Sequence, residues 1–177
     1  MISRLAVFDF DDTLFRSPWP PADWGEDEHA WWSSVQSLSP PYVPQVPKEP
    51  WWNLSVLRDA KQALRDPSSY VILLTGREKE YFEHRVKEII SQEGLDFHEV
   101  HLRGLVESTP EFKMSEILRT VENNPTISLV EMWDDLGEFL ARYKAYVESL
   151  GLRFRGHLIR ESPLGVVVER YLANQFG

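Results

Sequence analysis

The sequence predicts an α/β fold in which a mainly parallel central sheet is covered by helices on both faces. Three observations carry this expectation. Apolar, β-branched runs recur at LAVFDF (residues 5–10), YVILLT (70–75) and ISLVEMW (127–133), each too continuous to alternate, as expected of strands buried on both faces. Stripes of helical period lie between them. Strand and helix therefore exchange in a regular order, which favours crossover connections between parallel neighbours. A chain of 177 residues, 42% hydrophobic and 27% charged, is long enough for one well-covered core, so a single domain over residues 1–177 is expected.

The elements follow from local chemistry in chain order. After the first strand, residues 17–52 hold eight prolines and six tryptophans. The prolines bar long regular elements and the indoles need burial, so this segment is expected to be an ordered, irregular flap. Leu57, Ala60 and Leu64 share one helical face, after a cap at Asn53 and before Pro67. The strand at 70–75 leads into a helix whose stripe of Phe82, Val86, Ile89 and Ile90 ends at Gly94. Thr109 and Pro110 read as a cap followed by proline at the first helical position, with Met114, Ile117, Leu118 and Val121 turned inward. After the strand at 127–133, Phe139, Leu140, Tyr143 and Val147 define a helix over about 136–150 that closes at Gly151. FRGHLI (154–159) reads as a later strand, and VVVERYL (166–172) fits either a strand or a helix.

Composition excludes several kinds of chemistry. With no cysteine, neither a disulfide framework nor a thiolate metal site nor a cysteine nucleophile exists. A formal net charge of -9 disfavours broad adhesion to nucleic acid, leaving room only for a local basic patch. Asp9 interrupts the amino-terminal apolar run before it reaches signal-peptide length, and no stretch approaches membrane-spanning length. The expectation is a soluble, cytoplasmic protein.

The informative residues are acids. In a parallel α/β sheet the ligand crevice lies beyond the carboxyl ends of the strands, and Asp9, Thr75 and the pair Asp134 and Asp135 all fall at such ends. Gathering Asp9, Asp11, Asp134 and Asp135 without compensation would cost on the order of several kcal/mol in repulsion and desolvation. A hard divalent cation relieves this. Mg²⁺, which takes a few carboxylates, waters and substrate phosphate oxygens, suits an oxygen-only set. Taken alone, the D-x-D-D run of Asp9, Asp11 and Asp12 is as often a solvated turn. A helix-loop-helix calcium site does not fit, because Leu14 and Pro20 stand where such a loop needs glycine and glutamate.

The ordered set VFDFDDTLF, VILLTGR, FKMSEIL and VEMWDDL resembles the four motifs of the haloacid dehalogenase-like (HAD) phosphatases, across residues 5–143. More narrowly, LLTGREKEYFEHRVKEII, TPEFKMSEIL and MWDDLGEFLARY are similar to the HAD domain of Swiss Army Knife RNA repair proteins and to the phosphatase half of polynucleotide kinase-phosphatases. The resemblance implies a HAD-like Rossmannoid three-layer sandwich, with the Pro/Trp-rich flap in place of a large cap. It also implies a Mg²⁺-dependent phosphomonoesterase acting on an RNA or DNA end, such as a 3'-phosphate, or on a nucleotide phosphate. Asp9 would be the nucleophile that forms an aspartyl-phosphate. Asp11 would be general acid and then general base, with its backbone carbonyl on the metal, and Asp134 and Asp135 would complete the metal site.

Phosphoryl transfer also needs donors for the equatorial oxygens, and the Thr75 hydroxyl, the Gly76 amide and Lys113 are the candidates. Arg77 fits two roles equally: a clamp for a second phosphate, or a partner for an acidic residue. Asp12 and Thr13 are assigned to loop structure. The flap tryptophans either pack it onto the sheet edge or offer faces for a base to stack on. His29, His84, His98, His101 and His157 show no ligand spacing. The helix face with Lys79, Arg85 and Lys87 is either solvated or a guide for a nucleic-acid strand. Two other functions share these residues: a two-metal nuclease cutting phosphodiesters, and a catalytically silent binding module on the same scaffold.

Overall fold

The computed structural model describes residues 1–160; the run at 166–172 lies outside the described residues. Five strands form one parallel sheet: β1 (Arg4–Phe8), β2 (Ser69–Glu78), β3 (Glu99–Arg103), β4 (Leu129–Asp134) and β5 (Arg153–Leu158), in spatial order β3-β2-β1-β4-β5. The chain builds outward from β1 to β2 and β3, then crosses back to place β4 on the other side of β1. That reversal puts a crevice at the carboxyl ends of β1 and β4, where such sheets bind ligands.

Alternate residues of the strands feed two cores. Ala6, Phe8, Val71 and Leu73 pack with Val56, Leu57 and Ala60 of α2 (Leu54–Arg65) and with Phe82, Val86 and Ile89 of α3 (Lys79–Gln92). Leu5, Val7, Ile72 and Leu74 pack with Phe112 and Ile117 of α4 (Thr109–Asn123) and with Leu140, Tyr143 and Val147 of α5 (Gly137–Ser149). The three-layer α/β architecture expected from the sequence is the one observed. No helix of the described residues is long and apolar enough to cross a membrane.

Several boundaries differ from the sequence reading. The cap of α4 is Ser108, not Thr109. Its hydroxyl takes the Glu111 amide while the Glu111 side chain takes the Ser108 amide, a reciprocal box that places Thr109 and Pro110 in the first turn. Asn53 precedes α2, but its side chain receives the Ser55 hydroxyl instead of capping the helix. Strand β2 runs past Thr75 to Glu78 through an irregular register. Strand β3 was not expected, although EVHLR alternates polar and apolar residues as a half-covered edge strand does.

The flap is ordered. It contains a short helix, α1 (Glu28–Ser33), and 3-10 turns at Val35–Leu38 and Glu49–Trp51. Trp31 is fully buried, donates its indole N–H to the Pro18 carbonyl at 2.8 Å, and meets Trp24 and Tyr42 edge to face. Trp51 and Trp52 pack on Phe15. Arg85 fastens the flap to α3 by donating to the carbonyls of Leu38, Pro44 and Gln45. That side chain is therefore not part of a surface for nucleic acid, and Lys79 and Lys87 both pair with Glu83.

Candidate active site

Strand β1 ends at Phe8, and the Asp9 amide continues its ladder by donating to the Trp133 carbonyl of β4 at 3.0 Å. Asp9 is thereby pinned at the reversal point of the sheet. Its Oδ1 accepts from Lys113 Nζ at 2.9 Å and its Oδ2 accepts from the buried Thr13 hydroxyl at 2.8 Å. Asp12 takes a left-handed backbone conformation (φ 56°), which aspartate tolerates better than most residues and which turns the chain back so that Thr13 reaches Asp9. Thr13, assigned from sequence to loop structure alone, is thus a partner of the central carboxylate.

Lys113 stands in the amino-terminal part of α4 and is 2% exposed. Its ammonium also donates to Asp134 Oδ2 at 2.8 Å, so it bridges acids delivered by β1 and β4. Asp134 is held in turn by the Leu136 amide on its Oδ1 at 3.0 Å. Carboxylate oxygens of Asp9, Asp134 and Asp135 lie within 4.8 Å of one another. The Lys113 ammonium bridges two of these three acids, so the cluster holds more acid than it has cation to pair. Burial pushes the Asp9 carboxyl above its ordinary range against the opposing pull of Lys113, and Asp134 adds to the rise. Burial also pushes Asp135 up strongly, with Asp9, Asp134 and Asp12 contributing further. Burial alone would lower Lys113, but Asp9 and Asp134 outweigh it and hold the ammonium charged. An excess of buried, oxygen-only negative charge fits a hard divalent cation of the Mg²⁺ kind.

Asp11 is not part of that cluster. Its carboxylate is turned toward the flap, where it accepts from the Ser17 hydroxyl and from Arg77 Nε at 3.0 Å and Nη2 at 2.7 Å. Arg77 spends its other amino group on the Trp32 carbonyl and the Ser37 hydroxyl. Of the two roles open to Arg77 from sequence, the phosphate clamp is therefore not the one seen, because its donors are committed to Asp11 and the flap. Thr75 is fully buried behind the pocket wall, and its hydroxyl accepts the Arg77 amide at 3.2 Å. Gly76 sits in the irregular stretch of β2 against α4: a Cβ there would come within 2.5 Å of Thr109 Oγ1.

Asp9, Asp11, Gly76, Arg77, Lys113, Asp134 and Asp135 line one pocket of about 370 Å³; Thr75 does not. Sequence reasoning missed Arg103, Glu78 and His29 on the same wall. Arg103 ties Gly76 into place through its carbonyl at 2.9 Å and reaches Glu78 at 3.5 Å. The alternation of β3 was the only signal for it. His29 arrives on α1, a helix of six residues within a proline-rich run, and carried no signal.

Comparison with known proteins gives a consistent picture. A chain of the Pnkp1/Rnl/Hen1 RNA repair complex matches with a TM-score of 0.58 at 18% identity, over 91% of this chain and 44% of that one. The HAD domain of effector protein Lem4 from Legionella pneumophila matches with a TM-score of 0.55 at 14% identity, over 98% of this chain and 95% of that one. Both likenesses concern the fold. An uncharacterised Saccharomyces cerevisiae protein, YMR265C, is 23% identical over 85% of this chain, which spans only 38% of the yeast protein's length. The family model for HAD domain family 1 in Swiss Army Knife RNA repair proteins matches residues 23–168, a span that takes in Gly76, Lys113 and Asp135 and begins after Asp9 and Asp11. With most of its length matched, the chain belongs to this HAD domain family of RNA repair proteins.

Proposed function

We propose that this chain is a Mg²⁺-dependent phosphomonoesterase that works through an aspartyl-phosphate on Asp9 and acts on a phosphorylated nucleic-acid end or nucleotide. The observation that carries the reading is the bridge of Lys113 between Asp9 and Asp134 at the point where the sheet order reverses. Asp9 and Asp135, with Asp134, would hold the cation, which supplies charge neutralisation for a bound phosphate. A bare anion would otherwise meet three carboxylates.

In the first half-reaction an Asp9 oxygen bonds to phosphorus as the bond to the ester oxygen breaks. Asp11 delivers a proton to that leaving oxygen, which requires its carboxyl to turn from Arg77 toward the pocket. In the second, Asp11 takes a proton from a water that attacks phosphorus, the bond to Asp9 breaks, and inorganic phosphate leaves. Lys113 keeps Asp9 and Asp134 fixed throughout, and the Gly76 amide is the pocket-lining donor suited to the transferring oxygens, with Thr75 supporting the adjoining backbone from behind the wall by accepting the Arg77 amide. A nucleic-acid end is favoured by the RNA repair family and by the aromatic side chains on the flap side of the pocket.

The test is release of inorganic phosphate, with Mg²⁺ and with chelator, from nucleoside monophosphates and from 3'-phosphorylated RNA and DNA oligomers. Mg²⁺-dependent release from at least one of these, without strand cleavage, is expected. Strand scission in place of phosphate release would assign the site to a nuclease, and no reaction with any of them would assign it to binding.

A further inference from the structure

Trp19 is 53% exposed, whereas the other six tryptophans of the chain are buried or partly buried. Burying a side chain of this size would contribute roughly 1.5–3 kcal/mol or more, so an indole left open in a segment that buries its neighbours stands out. The ring is on the wall of the pocket that holds Asp9 and Lys113. It meets Trp32 edge to face, with centroids 5.8 Å apart and planes at 82°. Trp32 is backed by the Arg77 guanidinium 5.3 Å from its ring, and its carbonyl accepts from the same guanidinium. The two indoles thus form a right-angled corner mounted on the arginine that holds Asp11.

The charges around this corner limit what enters it. Glu28, Glu78 and Asp12 line the pocket beside the catalytic acids. Its arginines are committed to protein partners: Arg77 to Asp11, Trp32 and Ser37, and Arg103 to the carbonyls of Gly76, Gly104 and Glu107. A polyanionic strand gains little counterion release from such a surface, whereas a neutral aromatic ring gains stacking energy from an open indole face.

We infer that the corner of Trp19 and Trp32 is a base-stacking subsite, which receives the nucleobase of the nucleotide carrying the phosphate while that phosphate sits at Asp9. The inference rests on the phosphomonoesterase reading of the same pocket. Recognition is then by the terminal nucleotide instead of by a run of backbone phosphates.

The experiment compares the wild type with Trp19→Ala and Trp19→Phe on four substrates: a nucleoside 3'-monophosphate, a 3'-phosphorylated oligonucleotide, tyrosine phosphate and glycerol 2-phosphate, which has no ring. The ratio of kcat/KM for either nucleotide substrate to that for glycerol 2-phosphate should fall by about 10-fold or more in Trp19→Ala and be largely restored in Trp19→Phe. A fall with both nucleotide substrates places the stacked base on the phosphorylated nucleotide; an unchanged ratio overturns the inference. An equal fall for tyrosine phosphate overturns the assignment to a nucleobase, because any aryl ester would then use the corner. If the wild type releases phosphate from none of the four, the phosphatase reading fails. Calorimetric titration with the nucleoside monophosphate then decides the subsite separately: Kd about 10-fold weaker in Trp19→Ala supports it, and equal Kd refutes it.

Discussion

Arg77 grips both carboxylate oxygens of Asp11, Nε reaching Oδ1 at 3.1 Å and Oδ2 at 3.0 Å, while its other amino group holds the Trp32 carbonyl at 3.0 Å. One side chain therefore fixes the candidate proton donor and the position of the flap together. Lysine cannot reproduce this fork. Arg77→Lys should lose charged hydrogen bonds worth about 2 kcal/mol, which lowers the thermal midpoint by roughly 4–8 °C in a chain of this size. It should also make the flap, residues 17–52, more sensitive to limited proteolysis. An unchanged midpoint and digestion pattern would show that the flap is held by its tryptophans and Arg85 without Arg77.

The crowding of Asp9, Asp134 and Asp135 around Lys113 makes metal and mutation interchangeable in stability. Mg²⁺ at about 100 times its Kd should stabilise the protein by about 2.7 kcal/mol, read as a higher midpoint than in chelator. Asp135→Asn should raise the midpoint in chelator, because it removes a half-buried acid whose ionisation burial and the neighbouring aspartates oppose in the folded state, and should shrink the gain from Mg²⁺. A variant that kept the full Mg²⁺ shift would remove Asp135 from the cation site.

Gly76 is confined by Thr109, since a Cβ at 76 would stand 2.5 Å from Thr109 Oγ1. Gly76→Ala should therefore cost about 1–3 kcal/mol by overpacking at the start of α4. Thr109→Ala should restore most of that loss in the double variant, as denaturant unfolding would show. Additive losses would mean that the glycine is required for a reason other than this contact.

Acid should weaken the outer side of β3 before it reaches the core. Burial pushes the Glu99 carboxyl up, but hydrogen bonds with His101, Tyr70 and Arg119 outweigh it and hold it down to about 2. Its contribution to stability is thus fully present above the ordinary glutamate value of 4.5 and disappears as pH falls from there through about 2. Glu99→Gln should lower the thermal midpoint at neutral pH and flatten its decline across that acidic interval. A decline as steep as that of the wild type would place the acid sensitivity elsewhere.

The parallel sheet was legible because strands buried on both faces write continuous apolar runs, as β1, β2 and β4 do; the edge strand β5 was read from FRGHLI without such a run. β3 escaped because an edge strand with one covered side shows only Val100 and Leu102 among charged neighbours. Asp9, Asp134 and Asp135 were legible through the strands, since each follows a buried run and parallel neighbours deliver such ends to one sheet edge; Asp11 was not, because its carboxylate turns to Arg77. Thr13, Arg103 and His29 were not, because their roles depend on a left-handed turn at Asp12, an edge strand and a six-residue helix, none of which leaves a long period in the sequence. Arg77 was half legible: its place beside the crevice followed from Thr75, but its commitment to Asp11 depends on where the flap folds back.

Asp9 is the residue on which the proposed phosphoryl transfer turns. Enzyme mixed with a reactive phosphate monoester and Mg²⁺, quenched in acid during turnover and mapped by mass spectrometry, should carry one phosphoryl group on the peptide that contains Asp9, and Asp9→Asn should carry none and release no phosphate. Turnover by Asp9→Asn at the wild-type rate, or release of phosphate with the Asp9 peptide never modified, would contradict it.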